Sequence, residues 1–86
     1  MKNCQVLVLK NNQILLSQLE PTEAELPGEP DVRLIDPYLV EGNELTRWLK
    51  SVTIQNEMMI QSDQIITIVE PTPALISSYN EVLQER

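Results

Sequence analysis

At 86 residues the chain has room for a single domain, residues 1–86, and a domain of this size removes only about 60% of its unfolded surface from water, so assembly would reinforce a marginal core. With no histidine and one cysteine, a Cys/His zinc site, a Ser-His or Cys-His catalytic pair and an internal disulfide are all excluded. Six basic residues against 13 acidic ones, a net charge of −7, argue against a general nucleic-acid binder, because Lys and Arg contacts to phosphate supply most non-specific affinity.

Cys4 to Leu9 and Ile14 to Leu19 read as a first hairpin joined by Lys10-Asn11-Asn12-Gln13, where asparagine tolerates the positive φ that a primed turn demands. Val6 and Val8 point one way and Leu7 and Leu9 the other. Both faces of this strand are therefore apolar, and something must cover the second. Cys4, inside the apolar run, reads as a small buried hydrophobe in a protein of a reducing compartment.

The segment 20–31 holds Pro21, Pro27, Pro30, Gly28 and five acidic residues with no basic one. That composition cannot sit in a central strand and predicts an acidic, proline-rich loop, either a solvated connection or an arm for a partner. Outside it, six basic residues face eight acidic ones, which leaves room for a local cationic rim.

Val32 to Val40 reads as a third strand with a bend or an edge at Pro37, and Asp31 and Asp36, at odd spacing, should point to opposite faces. Between Glu41 and Asn56, Gly42-Asn43 marks a turn, while Leu45, Trp48 and Leu49 fit a short helical turn as well as an irregular strand. Met58-Met59-Ile60 and Ile65 to Val69 then form strand, polar turn and strand around Gln61-Ser62-Asp63-Gln64. After Glu70-Pro71, Thr72 is placed as an N-cap with Pro73 at the first helical position. Leu75, Ile76, Tyr79, Val82 and Leu83 share one stripe of a helix predicted over 73–85, and Arg86 complements the helix dipole at its end. The strand-rich part is thus 4–70.

No run approaches the roughly 20 apolar residues that span a bilayer, and no secretion signal opens the chain. The expectation is a soluble cytoplasmic protein without a membrane partner.

The stretch Ile60-Gln61-Ser62-Asp63 followed by Ile65-Ile66 resembles the second signature of the Sm/LSm family, an aliphatic residue, Arg-Gly-Asp/Asn and further aliphatics. It matches at the aliphatics and at Asp63 and departs from the Arg-Gly pair at Gln61 and Ser62. Upstream, Val6 to Leu19 resembles the family's opening hairpin, and Asp31-Val32-Arg33-Leu34-Ile35 resembles its third strand, with Arg33 where the family has its RNA-contacting Asn. Order and spacing are similar to small Sm-like proteins of marine viral, cyanophage-associated sequences. The helix after the last strand is a departure, because the family's usual helix precedes the first.

The resemblance implies a mainly β fold, a small, strongly bent five-stranded antiparallel barrel here followed by a C-terminal α-helix. It also implies a homo-oligomeric ring of about five to seven subunits, joined between the fourth strand of one and the fifth of the next. By position, single-stranded RNA or DNA would meet Arg33, Gln61, Ser62 and Asp63 near a pore. Tyr38 and Trp48 are candidates for stacking on a base, although each residue type is more often core or interface. Scattered carboxylates, with no phosphate loop and no paired acids on a rigid scaffold, predict no enzyme activity, no metal and no cofactor. Two functions follow: a ring that binds nucleic acid in phage or host processing, or a structural, protein-interaction oligomer that has lost the RNA site. Convergence of Arg33 and Gln61 on one rim favours the first, and pairing of Arg33 with an acid favours the second.

Overall fold

A computed structural model describes residues 4–23, 26–42 and 44–85; the expected roles of Arg86 and Asn43, and Glu25 of the acidic loop, lie outside the described residues. Six strands and one helix follow in order: β1 (Cys4–Leu9), β2 (Ile14–Pro21), β3 (Val32–Glu41), β4 (Glu44–Arg47), β5 (Glu57–Ile60), β6 (Ile65–Val69) and α1 (Pro73–Gln84). The fold is mainly β. All pairings are antiparallel, in the order β4-β3-β2-β1-β6, with β5 also on β3.

The count corrects the expectation of five strands. The extra strand, β4, comes from the region that read equally as helix or strand, and its four residues are too few to show a period. The sheet is also open rather than closed into a hydrogen-bonded barrel, since no ladder joins β5 to β6 among the described residues. Its curvature is nevertheless strong enough that Ile60 of β5 and Ile65 of β6, from opposite ends, pack on one inner cluster around Leu7, Leu9, Leu15 and Leu34.

The bend in β3 has a local cause. Gln18 faces Ile35 and Leu16 faces Tyr38, so Ser17 opposes both Asp36 and Pro37 in a bulge. Asp36 takes φ +52°, and the Ser17 hydroxyl donates to the carbonyls of Ile35 (3.1 Å) and Gln18 (2.9 Å). At this kink β3 exchanges one neighbour for another: residues 32–35 pair with β5, and residues 38–41 pair with β4.

The first turn has three residues, with Leu9 and Gln13 hydrogen-bonded across it and Asn12 at φ +70°. Asn11 Oδ1 accepts from the Gln13 amide at 3.0 Å. This is a type I turn closed by a left-handed residue, the common three-residue hairpin. β2 continues through Glu20 and Pro21, two residues beyond the expected end, because Pro21 at the strand terminus forfeits no interior bond.

α1 starts as the capping residues predict: the Thr72 hydroxyl accepts from the Leu75 amide at 3.2 Å, and Pro73 occupies the first turn. Its stripe of Leu75, Ile76, Tyr79, Val82 and Leu83 covers the outer sheet face over Cys4, Val6, Leu16 and Tyr38. The two apolar faces of β1 are therefore both accounted for, one by the inner cluster and one by the helix. Burial pushes the Cys4 thiol pKa up from its usual value, as expected for a packing residue. Among the described residues no helix is long and apolar enough to cross a membrane.

Candidate functional site

Two features of the surface bear on function. The first is the corner where the acidic loop meets the turn between β5 and β6, which holds four of the six sequence-predicted residues. The Asp31 carboxylate accepts from the Ser62 amide and from the Ser62 hydroxyl, each at 2.7 Å. These bonds, the hydroxyl first, hold the Asp31 pKa below the usual carboxylate range. The Gln61 side-chain amide donates to the Gly28 carbonyl, and the Asp31 amide donates to Ile60 O at 3.1 Å. The turn itself, Ser62–Gln64, is a single 3-10 turn in which Asp63 is exposed and accepts from the Gln64 side chain at 3.2 Å.

Arg33 lies on β3 opposite both Glu20 of β2 and Met59 of β5. Its guanidinium sits 3.6 Å from the Glu20 carboxylate, and both side chains are about half exposed. Loop and turn are thus stapled together, with Arg33 beside an acid and Gln61 and Ser62 spent on backbone and carboxylate partners. What the corner can do chemically is brace the loop against the sheet.

The two aromatic candidates lie elsewhere. Tyr38 is buried against α1, in a T-shaped pair with Tyr79 at 5.8 Å and 89°, so packing within the chain closes its ring off from a base. Trp48 is half-buried, packs on the inner cluster and donates from Nε1 to Gln13 Oε1 at 3.2 Å. Neither is brought to the Arg33 corner by any strand pairing.

The second feature is apolar and carries residues that the sequence reading assigned only to a strand. Among the described residues β6 is hydrogen-bonded on one side only, to β1, and Ile66, Ile68 and Val69 are 60%, 47% and 47% exposed. Ile68 is in register with Leu7, and Ile65 with Leu9, so both face the inner side of the sheet. Beside them a groove of about 500 Å³, lined by Leu19, Pro21, Val32, Ile65, Ile66 and Ile68, opens onto the inner cluster. Asp63 precedes the strand and Glu70 follows it, with no charge between them. Charges and prolines usually guard such an edge along its length, and here they stand only at its ends. The uncharged, wholly β-branched run Ile65-Ile66-Thr67-Ile68-Val69 was the available signal.

A protein-family model, described as a family of unknown function (DUF6561), matches residues 2–84, which takes in all six strands and the helix. No curated protein matches the chain.

Proposed function

The chain belongs to the family of unknown function DUF6561, and from that premise we propose that it works without catalysis, as a self-assembling β module on an Sm-like barrel scaffold. The observation that carries this reading is the open β6 edge with its exposed isoleucines and adjoining groove. Such a surface is an aggregation hazard in a lone chain and an asset in an assembly. The Sm-like scaffold draws support from the strong bend of the antiparallel sheet and from the packing of both sheet ends on one inner cluster. Closed cyclic assembly into a homo-oligomer of about five to seven chains is the form the resemblance implies.

A second reading, binding of single-stranded RNA or DNA, has one observation in its favour: Arg33 and the Gln61–Asp63 turn lie at a common corner, linked through Asp31 and Ser62. Against it stand the Glu20 carboxylate beside Arg33 and the net charge of −7. The geometry therefore supports assembly better than nucleic-acid binding.

Sedimentation velocity at micromolar concentration tests the first reading, with a mass of several chains expected and a single-chain mass overturning it. Anisotropy of labelled single-stranded RNA and DNA tests the second. Saturable, salt-sensitive binding that disappears with Arg33→Ala would promote nucleic-acid binding to first place.

A further inference from the structure

In a chain of net charge −7, copies repel one another unless charges are locally matched. One segment is exceptional. Residues 45–56 contain Arg47 and Lys50 and no acidic residue, and they also carry the most exposed aliphatic side chains of the described residues, Ile54 at 90% and Val52 at 75%. These tips stand on an ordered loop. The Leu49 carbonyl accepts from the amides of Val52 (3.0 Å) and Thr53 (3.1 Å), and the Arg47 guanidinium donates to the Thr53 carbonyl at 2.9 Å. Leu49 takes φ +60° to make the turn. A loop held this way presents its apolar tips with little further ordering cost on binding.

The groove beside β6 is complementary in both respects. Its lining is mainly aliphatic, with Ser62 and Thr67 as the polar members, and acids adjoin its residues in the chain: Asp63 and Glu70 at the two ends of β6, and Glu20 between Leu19 and Pro21. Arg33, on that side, is already beside Glu20. Lys10, whose amide bonds Gln64 O, lies on the opposite, β1 side of β6. Lys50 has no ion-pair partner among the described residues.

We infer that the loop Leu49–Ile54 of one copy seats Val52 and Ile54 in the β6 groove of a second copy, with Lys50 facing that copy's acids. This rests on the assembly reading above and specifies its contact. Donor and acceptor surfaces are different parts of the chain, so the contact is heterologous and propagates head to tail into a ring or a filament.

Complementation tests it. The loop variant Val52→Asp/Ile54→Asp and the groove variant Ile66→Lys/Ile68→Lys should each sediment as a single chain, with circular dichroism confirming that both are folded. Mixed in equal amounts, they should give a two-chain species, because the loop variant keeps an intact groove and the groove variant an intact loop. If the loop variant assembles to the wild-type mass, the loop is not the contact and the inference falls while the assembly reading stands. A mixture that stays monomeric, or one repaired only by pairing each variant with itself, also overturns it. A wild-type chain that is itself monomeric removes both the inference and the reading beneath it.

Discussion

The Tyr79 hydroxyl of α1 donates to the Asp36 carbonyl at 2.8 Å, so the helix is bonded to the residue at which β3 bends. The same hydroxyl lies 3.3 Å from Ile35 O and accepts from the Gln18 side chain at 3.5 Å. Tyr79 is fully buried, and a buried carbonyl deprived of its donor is costly. Tyr79→Phe is expected to lower stability by about 1–2 kcal/mol, and Tyr79→Ala, which also opens a cavity, by about 3–5 kcal/mol. Denaturant unfolding of the two variants separates the hydroxyl from the ring.

Burial pushes the Tyr79 pKa from 10.0 up to about 12. A raised phenol pKa means that the unfolded chain loses its proton first, so stability is fully present below pH 10 and declines between pH 10 and about 12. The buried Cys4 thiol, also raised, begins a similar loss above its ordinary 9.0. Melting temperature against pH should fall on the alkaline side for the wild type. Tyr79→Phe should flatten the portion above pH 10, and Cys4→Ala the portion below it.

At the other end of the scale, Asp31 is held below the ordinary carboxylate value of 3.8. Its bonds to Ser62 contribute stability above that value and lose it as pH falls through the depressed one. Asp31→Asn and Ser62→Ala should each weaken the staple between loop and turn and reduce the acid-side slope of the melting curve. Faster hydrogen exchange at the Ser62 amide is the direct readout.

How far the fold was legible depended on the length of each pattern. The helix was readable to within a residue because Thr72, Pro73 and five stripe residues all agreed. β1, β2, β3, β5 and β6 followed from aliphatic-rich segments bounded by turn residues. β4 did not, since Glu44–Arg47 shows no period and is defined by its pairing with Tyr38–Glu41. For the site, sequence resemblance grouped Arg33 with Gln61, Ser62 and Asp63, and the fold places them at one corner. It could not foresee that Glu20, thirteen positions away, would register opposite Arg33 across two strands. The choice between stacking and core for Tyr38 stayed open for a related reason: nothing in its neighbours tells a surface aromatic from one covered by a distant helix.

Left-handed residues offer a backbone test. Gly42 takes φ +61° with open space where a Cβ would stand, so Gly42→Ala should cost about 1 kcal/mol through conformation alone. Asn12, at φ +70°, should tolerate Asn12→Gly with little change in melting temperature. A large loss from Asn12→Gly would mean that the Asn12 side chain matters beyond its backbone preference.

Trp48 is the single tryptophan and lies at the entrance to the exposed loop. Its emission should move to shorter wavelength as concentration rises through the assembly range, and the shift should be absent in Val52→Asp/Ile54→Asp. Unchanged emission across assembly would place the contact away from this loop.

One edge of β3 serves β5 along its first half and β4 along its second, so the chain between Arg47 and Glu57 begins and ends on the same strand. Lengthening a connection anchored in this way adds only about 0.6 kcal/mol of closure entropy for each doubling. Evolution can therefore rewrite residues 49–55 in length and in composition while both ladders stay in register. The loop proposed as the contact can diversify independently of the strands that keep the chain folded.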